Sequence, residues 1–529
     1  MIRKLLTLST LVMSTVVIAG CSSTSTDTGE DAATGEGADR EALRIVAATE
    51  LEDLVPAVEQ ASEELGFPIE LDFPGGTLEN SEKLKQGEFD EDYDATWFAT
   101  NRYVDLIGAS GKLGETTKIA TSPVVLGVDY RHAMHLGWHS HQPTWAEIGS
   151  AAASGQLTFG MTDPSTSNSG FSALVSVSTA YADTGQALTL DDVDDVTREL
   201  QAFLSGQTVT SGSSGWLKDA FISDPDRANA LINYESVLHT VNEEDNADLW
   251  MVVPADGVVS ADYPLSALAA ADDETAAQIR ELREWIEDHP EVLTNTYRRP
   301  VDTTVPLPEE LQDAFIIEQP FPGERQITDA LVAAYNNELR VPGNTTFVLD
   351  TSGSMEGPRL GSLKTTMNEL ITGQANSLTG DVSLRRREKV NIIPFDWVPA
   401  ETISTTVDQI GGPNRQQLAD GIDELVAHGG TGIYRALMQA LDEAETGAYI
   451  PSIVLMTDGE LTDRPNFLEF QQYYAELPTE KKRIPVFVIL YGEANVTEME
   501  NLAALTGGHT FGAIDGDLDE AFKEIRAYQ

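Results

Sequence analysis

The chain has 529 residues, 41% of them hydrophobic and 22% charged, with 24 Pro and 42 Gly; this excludes wholesale disorder and collagen-like repeats, and at roughly 100–200 residues per domain it predicts several domains. Lys+Arg number 33 against 86 Asp+Glu, a formal net charge of −53, which repels phosphate backbones, excludes general nucleic-acid binding and suits a protein living in salt or outside the cell, where screening softens self-repulsion. A single cysteine rules out an internal disulfide and any cysteine-based zinc or iron–sulfur site.

At the N-terminus, Arg3 and Lys4 precede an apolar stretch, Leu5 to Ile18, that ends in Ile18-Ala19-Gly20-Cys21. This is a secretory-signal layout, too short and wrongly flanked for a permanent membrane span. Small residues before a cysteine resemble the lipobox of bacterial lipoproteins. The resemblance implies that residues 1–20 are removed and that Cys21 carries lipid, anchoring the chain at the cell membrane and facing it away from the cytoplasm. The alternative is an ordinary signal peptide that leaves a free thiol. Residues 21–41 hold no large apolar side chain and read as a flexible tether.

From residue 42 to about 300 the pattern is α/β. Apolar strands are predicted at Leu43–Ala48, Ile69–Phe73, Asp94–Phe98, Val124–Val128 and Leu157–Met161. A helix is predicted after Thr49 through Leu65, with Thr49 and Glu52 as a capping box. The alternation predicts a parallel sheet flanked by helices, and the length suits two lobes. Residues 301–342 read as a proline-rich linker followed by a helix over Gln326–Leu339. A second α/β unit fills 343–529, with strands at Thr346–Leu349, Val390–Phe395, Ile453–Met456 and Val486–Leu490. Its helices are predicted near Leu363–Thr372, Arg415–Ala427, Gly432–Glu443, Val496–Leu505 and Leu518–Tyr528.

The second unit carries the sharper chemistry. Its first strand runs into Asp350-Thr351-Ser352-Gly353-Ser354-Met355, a β→α loop of the kind that binds ligands in open parallel sheets. Gly429-Gly430-Thr431-Gly432 and Met456-Thr457-Asp458-Gly459 supply further oxygens from two later loops. Hard divalent cations seek such ligands, and the two carboxylates supply the charge that hydroxyls lack. Taken singly, each loop is also an ordinary turn or helix cap. DTSGSM, with GGT and TDG downstream, resembles a von Willebrand factor type A (VWA) domain, whose DxSxS…T…D pattern is the metal-ion-dependent adhesion site, MIDAS. That resemblance implies a doubly wound parallel sheet and Mg²⁺ or Mn²⁺ held by Asp350, Ser352, Ser354, Thr431 and Asp458. It also implies a protein partner whose exposed Asp or Glu completes the coordination.

In the first unit, Gly75-Gly76-Thr77, Ser165–Gly170 and Ser211–Gly215 precede helices, whose free N–H groups suit anions. Together with VAATEL, YDATWFAT, SPVVLGV and INYESVL, their order resembles the type 2 periplasmic binding proteins, nearest the molybdate-like group. That resemblance implies two lobes and a cleft for a small solute, lined by Thr49, Thr77, Ser167, Ser169 and Tyr234. Glu50 departs from it, because a carboxylate there repels oxyanions; the alternative is a surface residue that complements the helix dipole. Each hydroxyl is equally well explained as a cap.

His132, His135, His139 and His141 hold four of the eight histidines, as a zinc or copper site or as an exposed loop. Glu88–Asp92 reads as a solvated acidic turn. No Gly-x-Ser-x-Gly elbow, catalytic cysteine or His-Glu-x-x-His is present, so no enzyme is expected. The whole resembles the substrate-binding and VWA domain-containing lipoproteins of bacteria, which implies cation-dependent binding of a protein partner. The alternative is a receptor that hands a small solute or oxyanion to an ABC transporter.

Overall fold

In the first α/β block, short apolar runs make β1 (Leu43–Ala47), β2 (Ile69–Asp72), β3 (Ala95–Trp97) and β4 (Leu113–Lys118). The computed structural model describes residues 40–525 apart from 246, 313–314, 378–379, 382, 446, 448, 460, 493–494, 514–520 and 523–524. The expected signal segment, Cys21 and nearly all of the expected tether lie outside the described residues. So does most of the closing helix expected at Leu518–Tyr528.

At Ile119 the chain crosses to a second sheet: β5 (Ala120–Asp129), β6 (Phe159–Thr162), β7 (Gln207–Ser211), β8 (Ala230–Tyr234), β9 (Leu249–Val252) and β10 (Ser260–Ala261). It returns through Asp262 and Tyr263 to β11 (Pro264–Leu268), then crosses again to β12 (Arg299–Pro300). The first sheet has the order β2-β1-β3-β11-β4. The second runs β10-β5-β8-β6-β7, with β9 and β12 also on β5. There are thus two lobes, joined by three chain crossings.

The expectation of a purely parallel sheet is corrected. β1 pairs in parallel with β2 and β3, but β11 is antiparallel to β3 and β4, and β5 is antiparallel to β8 and β9. β5 and β11 enter their sheets from the other lobe, so no helix-bearing crossover within one sheet fixes their direction. The capping box at Thr49 is corrected as well. Thr49–Leu54 is a 3₁₀ turn leading into the helix Val55–Leu65, and the N-cap position falls on Ala48, which makes no side-chain cap.

The connecting segment is more than a linker. Helix Arg325–Ala334 and the π-turn Tyr335–Leu339 bury Ile327, Leu331, Tyr335 and Leu339 in the core of the first block. That spacing is one apolar helical stripe.

The second block contains β13 (Gly343–Asp350), a small hairpin of β14 (Asn376–Ser377) and β15 (Gly380–Asp381), then β16 (Lys389–Phe395), β17 (Ile403–Thr406), β18 (Ile450–Thr457), β19 (Val486–Leu490) and β20 (Thr510–Gly512). The main sheet has the order β17-β16-β13-β18-β19-β20 and is parallel except at the edge strand β17. Phe347 and Leu349 face one core, with Leu363 and Met367 of helix Pro358–Thr372 and Leu418 of helix Pro413–Asp423. Val348, between them, faces the opposite core, with Leu437 of helix Ile433–Glu443 and Leu502 of helix Val496–Thr506. Period-2 alternation with both faces covered makes the sheet doubly wound.

From Glu41 onward the chain forms one compact unit. A buried ion pair, Arg340–Glu388 at 2.6 Å, and longer pairs Arg483–Asp224 (3.4 Å) and Arg385–Asp163 (3.9 Å) tie the second block to the connector and the second lobe. Among the described residues no helix is long and apolar enough to cross a membrane.

Candidate functional site

In the second block the chain leaves β13 for β16 on one side, while β18 lies on the other. The carboxyl ends of β13 and β18 therefore flank the point where strand order reverses, which is where open α/β sheets leave a crevice. Asp350 ends β13 and Asp458 follows β18.

Asp350 is fully buried, and its carboxylate accepts from the Ser352 N–H (2.8 Å) and the Thr457 hydroxyl (2.5 Å). Ser352 Oγ lies 3.0 Å from Ser354 Oγ. The Gly353 N–H donates to the Gly429 carbonyl at 3.2 Å, which draws in the Gly-Gly-Thr-Gly loop. Thr431, on that loop, is buried, and its N–H donates to the Thr462 hydroxyl at 2.7 Å. Asp458 is buried too and accepts from Arg359 Nη1 at 2.9 Å; the same nitrogen donates to the Ser354 carbonyl at 3.1 Å.

Burial pushes the Asp350 carboxyl up to about 6, three hydrogen bonds from Ser352 and Thr457 oppose the rise, and the negative charge of Asp458 adds to it. Two carboxylates and three hydroxyls, all oxygen, suit a hard divalent cation, and Arg359 shows that the site already draws positive charge. The residues present therefore fit Mg²⁺ or Mn²⁺. Beside them lie Trp397 and Val398, about half exposed. A Cβ added at Gly430 would meet the Trp397 ring at 2.4 Å, so the indole lies against the Gly-Gly turn. Nothing in the sequence pattern marks Trp397, because its neighbour is set by the fold.

The histidine cluster does not converge. Helix Tyr130–Leu136 stops at Gly137; His132 pairs with Asp129 (2.9 Å) and His141 with Glu147 (3.2 Å). Among the described residues no group of three or more His, Cys, Asp or Glu is arranged to hold a metal.

In the first block the five candidate residues Thr49, Thr77, Ser167, Ser169 and Tyr234 are all buried, because the two lobes are closed on each other. Thr49 Oγ1 accepts from the Gly215 N–H of the facing lobe at 3.2 Å, and the Glu79 N–H donates to the Thr166 carbonyl at 3.2 Å. A Cβ at Gly76 would lie 2.4 Å from the Thr166 carbonyl oxygen and 3.0 Å from that of Gly212, so glycine permits this closure. Ser167, Ser169, Thr162 and Ser214 share one hydroxyl network, and Asn168 Nδ2 donates to the Tyr234 hydroxyl at 2.9 Å. Thr77 stands apart: its hydroxyl accepts from the Ala99 N–H of its own lobe.

Pattern reading missed Tyr263 and Arg298. Tyr263 sits at a crossing with φ +36° and packs on Tyr234, ring centroids 6.1 Å apart. Arg298 is fully buried, pairs with Asp53 at 2.8 Å and donates to the Glu50 carbonyl at 2.5 Å. Glu50 is buried, and burial pushes its carboxyl up to about 7, partly opposed by its own backbone N–H and by Arg298. Glu50 Oε1, Asn168 Oδ1 and Ser213 Oγ are buried without a hydrogen-bond partner among the described residues.

Residues 43–279 match the family of bacterial extracellular solute-binding proteins, and residues 344–510 match the von Willebrand factor type A domain. The chain joins a solute-binding domain to a VWA domain. Among solved structures it is similar to the periplasmic binding protein AfuA from Actinobacillus pleuropneumoniae, solved with fructose-6-phosphate bound (13% identity, 57% of this chain and 99% of that one, TM-score 0.43). It is also similar to a von Willebrand factor type A protein from Catenulispora acidiphila (18% identity, 36% and 42% covered, TM-score 0.29). An uncharacterized protein of Synechocystis is 31% identical over 140 residues, 26% of this chain and 30% of that relative's length; the chain thus spans under a third of that curated relative.

The interlobe cleft belongs to the solute-binding domain, and the hydroxyl–carboxylate cluster belongs to the VWA domain. Asp163 ties the cleft loop to the VWA domain: its carboxylate accepts from the Ser165 N–H at 2.7 Å at the head of that loop, while Arg385 of the VWA domain approaches its other oxygen at 3.9 Å.

Proposed function

We propose that this is a lipid-anchored extracytoplasmic lipoprotein whose VWA domain binds a protein partner through a divalent cation. The observation that carries this reading is the gathering of Asp350, Ser352, Ser354, Thr431 and Asp458 from three loops at the sheet's switch point. A bound Mg²⁺ or Mn²⁺ would supply a positive centre able to accept a partner's Asp or Glu. Trp397 and Val398, half exposed beside the cluster, offer the partner apolar contact of the kind that dominates interfaces. Both domains are of binding families, and the reading is non-enzymatic.

Calorimetry on the full chain with Mg²⁺ and Mn²⁺, followed by partner capture with and without EDTA, tests it. Saturable divalent binding and EDTA-sensitive capture are expected. No divalent binding, or capture indifferent to EDTA, would sink the reading. The anchor rests on Cys21: mass spectrometry of the mature protein should find it lipidated, and Cys21→Ala should leave the chain unprocessed or released from membranes.

A second reading, a receptor feeding an ABC transporter, draws support from the closed lobes and their unpartnered polar atoms. Under it, Glu50 argues for a solute that hydrogen-bonds to a carboxyl and against a doubly charged oxyanion. A thermal-shift screen spanning sugars, organic cations and oxyanions separates these classes.

A further inference from the structure

A cavity of about 980 Å³ opens on the second lobe, between the loop after helix Tyr130–Leu136, helix Glu235–Glu244 and β9. None of the candidate cleft residues lines it. Its described lining includes four glutamates and no Lys or Arg. Arg299 neutralises one of the four, Glu235, through two contacts of 3.0 Å. Glu243, Glu309 and Glu310 are left to set the local field.

Acidic lining alone is unremarkable on a chain of this charge. Two further observations point to a ligand. His239 is 9% exposed, lines the cavity, and its Nε2 has no hydrogen-bond partner among the described residues. Burial holds this imidazole neutral, down to about 4 against the pull of Glu310, so Nε2 is free to accept a hydrogen bond in one tautomer. The wall is aromatic too. Tyr297 stacks on His239 at 4.7 Å, with φ +55°, a backbone conformation that costs a tyrosine energy and is retained where the surroundings demand it. Trp250 lines the same cavity and is 39% exposed. Aromatic faces beside carboxylates attract organic cations through both the ring quadrupole and charge.

We propose that this cavity is a second binding site of the solute-binding domain, for a small alkyl- or arylalkylammonium ion. Its N–H donates to His239 Nε2, its charge lies among Glu243, Glu309 and Glu310, and its apolar body rests on Trp250 and Tyr297. A metal ion fits less well, because no three of these ligands are arranged around one point.

The test uses the full chain near neutral pH, with 2-phenylethylammonium as probe and the uncharged 2-phenylethanol as its isostere, read by calorimetry and tryptophan fluorescence. The ammonium should bind about tenfold tighter than the alcohol. His239→Phe keeps the stacked ring but removes the acceptor, and should weaken binding several-fold. The double variant Glu309→Gln/Glu310→Gln, on exposed positions that do not threaten folding, should weaken it and flatten its salt dependence. Glu50→Gln, in the interlobe cleft, should leave it unchanged. Equal binding of the two probes, no saturable binding at millimolar concentration, indifference to the glutamate variants, or loss on Glu50→Gln would each overturn the proposal.

Discussion

The VWA cluster and the interlobe cleft are both buried, oxygen-rich and adjacent to an arginine, yet they are built in opposite ways. The cluster is largely local: three of its five side chains lie on one loop, and the other two follow a helix-leading glycine turn and a strand end. The cleft is assembled at a distance: Thr49 meets Gly215, Glu50 meets Arg298, and Gly76 fits under Thr166. Their charge differs as well. In the cluster Arg359, which is 43% exposed, pairs with Asp458, whereas in the cleft Arg298 is fully enclosed and held by Asp53. A site carried on the loops of one sheet is set once that sheet forms. A site built across two lobes exists only while they are closed.

Substitutions can break that contrast. Asp350→Asn keeps the shape of the cluster but removes half its ligand charge, and should cost more than about 100-fold in Mg²⁺ affinity by calorimetry. Circular dichroism should remain native, because the amide still accepts a hydrogen bond. Gly76→Val should act on the cleft alone. Its side chain collides with two backbone carbonyls of the facing lobe, so the lobes stay apart. Small-angle scattering should report a larger radius, and any solute that stabilises the wild type at 100 times its Kd, by about 2.7 kcal/mol, should no longer do so. Mg²⁺ binding should be untouched.

Glu50 sharpens the comparison through pH. Its carboxyl is held well above the ordinary carboxyl value, near 7. As pH rises from the ordinary carboxyl range toward 7, the folded chain retains a proton that the unfolded chain has lost, so stability falls across that window. The loss is of the order of 3 kcal/mol at most. Thermal melts at acid and neutral pH should show the fall in wild type and its flattening in Glu50→Gln. The smallest effect is expected at Arg359. Arg359→Ala removes a competing cation from Asp458 and should tighten Mg²⁺ several-fold, most visibly at low salt.

Strands β13, β16, β18 and β19 were legible because both faces of each are covered, which leaves continuous apolar runs such as Ile453–Met456. β17 was not: Ile-Ser-Thr-Thr is a half-exposed edge whose composition also suits a loop. The DxSxS loop announced itself because ligand spacing along one loop is sequence spacing. Thr49 misled for the converse reason. Thr followed three residues later by Glu52 satisfies the local rule for a helix cap, but its hydroxyl faces an amide from the other lobe. Tyr263, Arg298 and Trp397 carry no local signal, since each acquires its role from a neighbour far along the chain. The same holds for the antiparallel strands of the first domain, whose direction is decided by where the chain crosses between lobes.

Those crossings impose an order on folding. β4 pairs only with β11 in its sheet, and Trp97 of β3 faces Leu265 of β11; everything between builds the other lobe. The first lobe begins first along the chain but cannot complete its sheet until the second lobe's residues have been delivered. It must therefore hold an unpaired strand edge through that interval, the condition under which slow, non-local sheets are most exposed to misassembly. The VWA sheet, whose partners all lie within its own stretch of chain, carries no such wait.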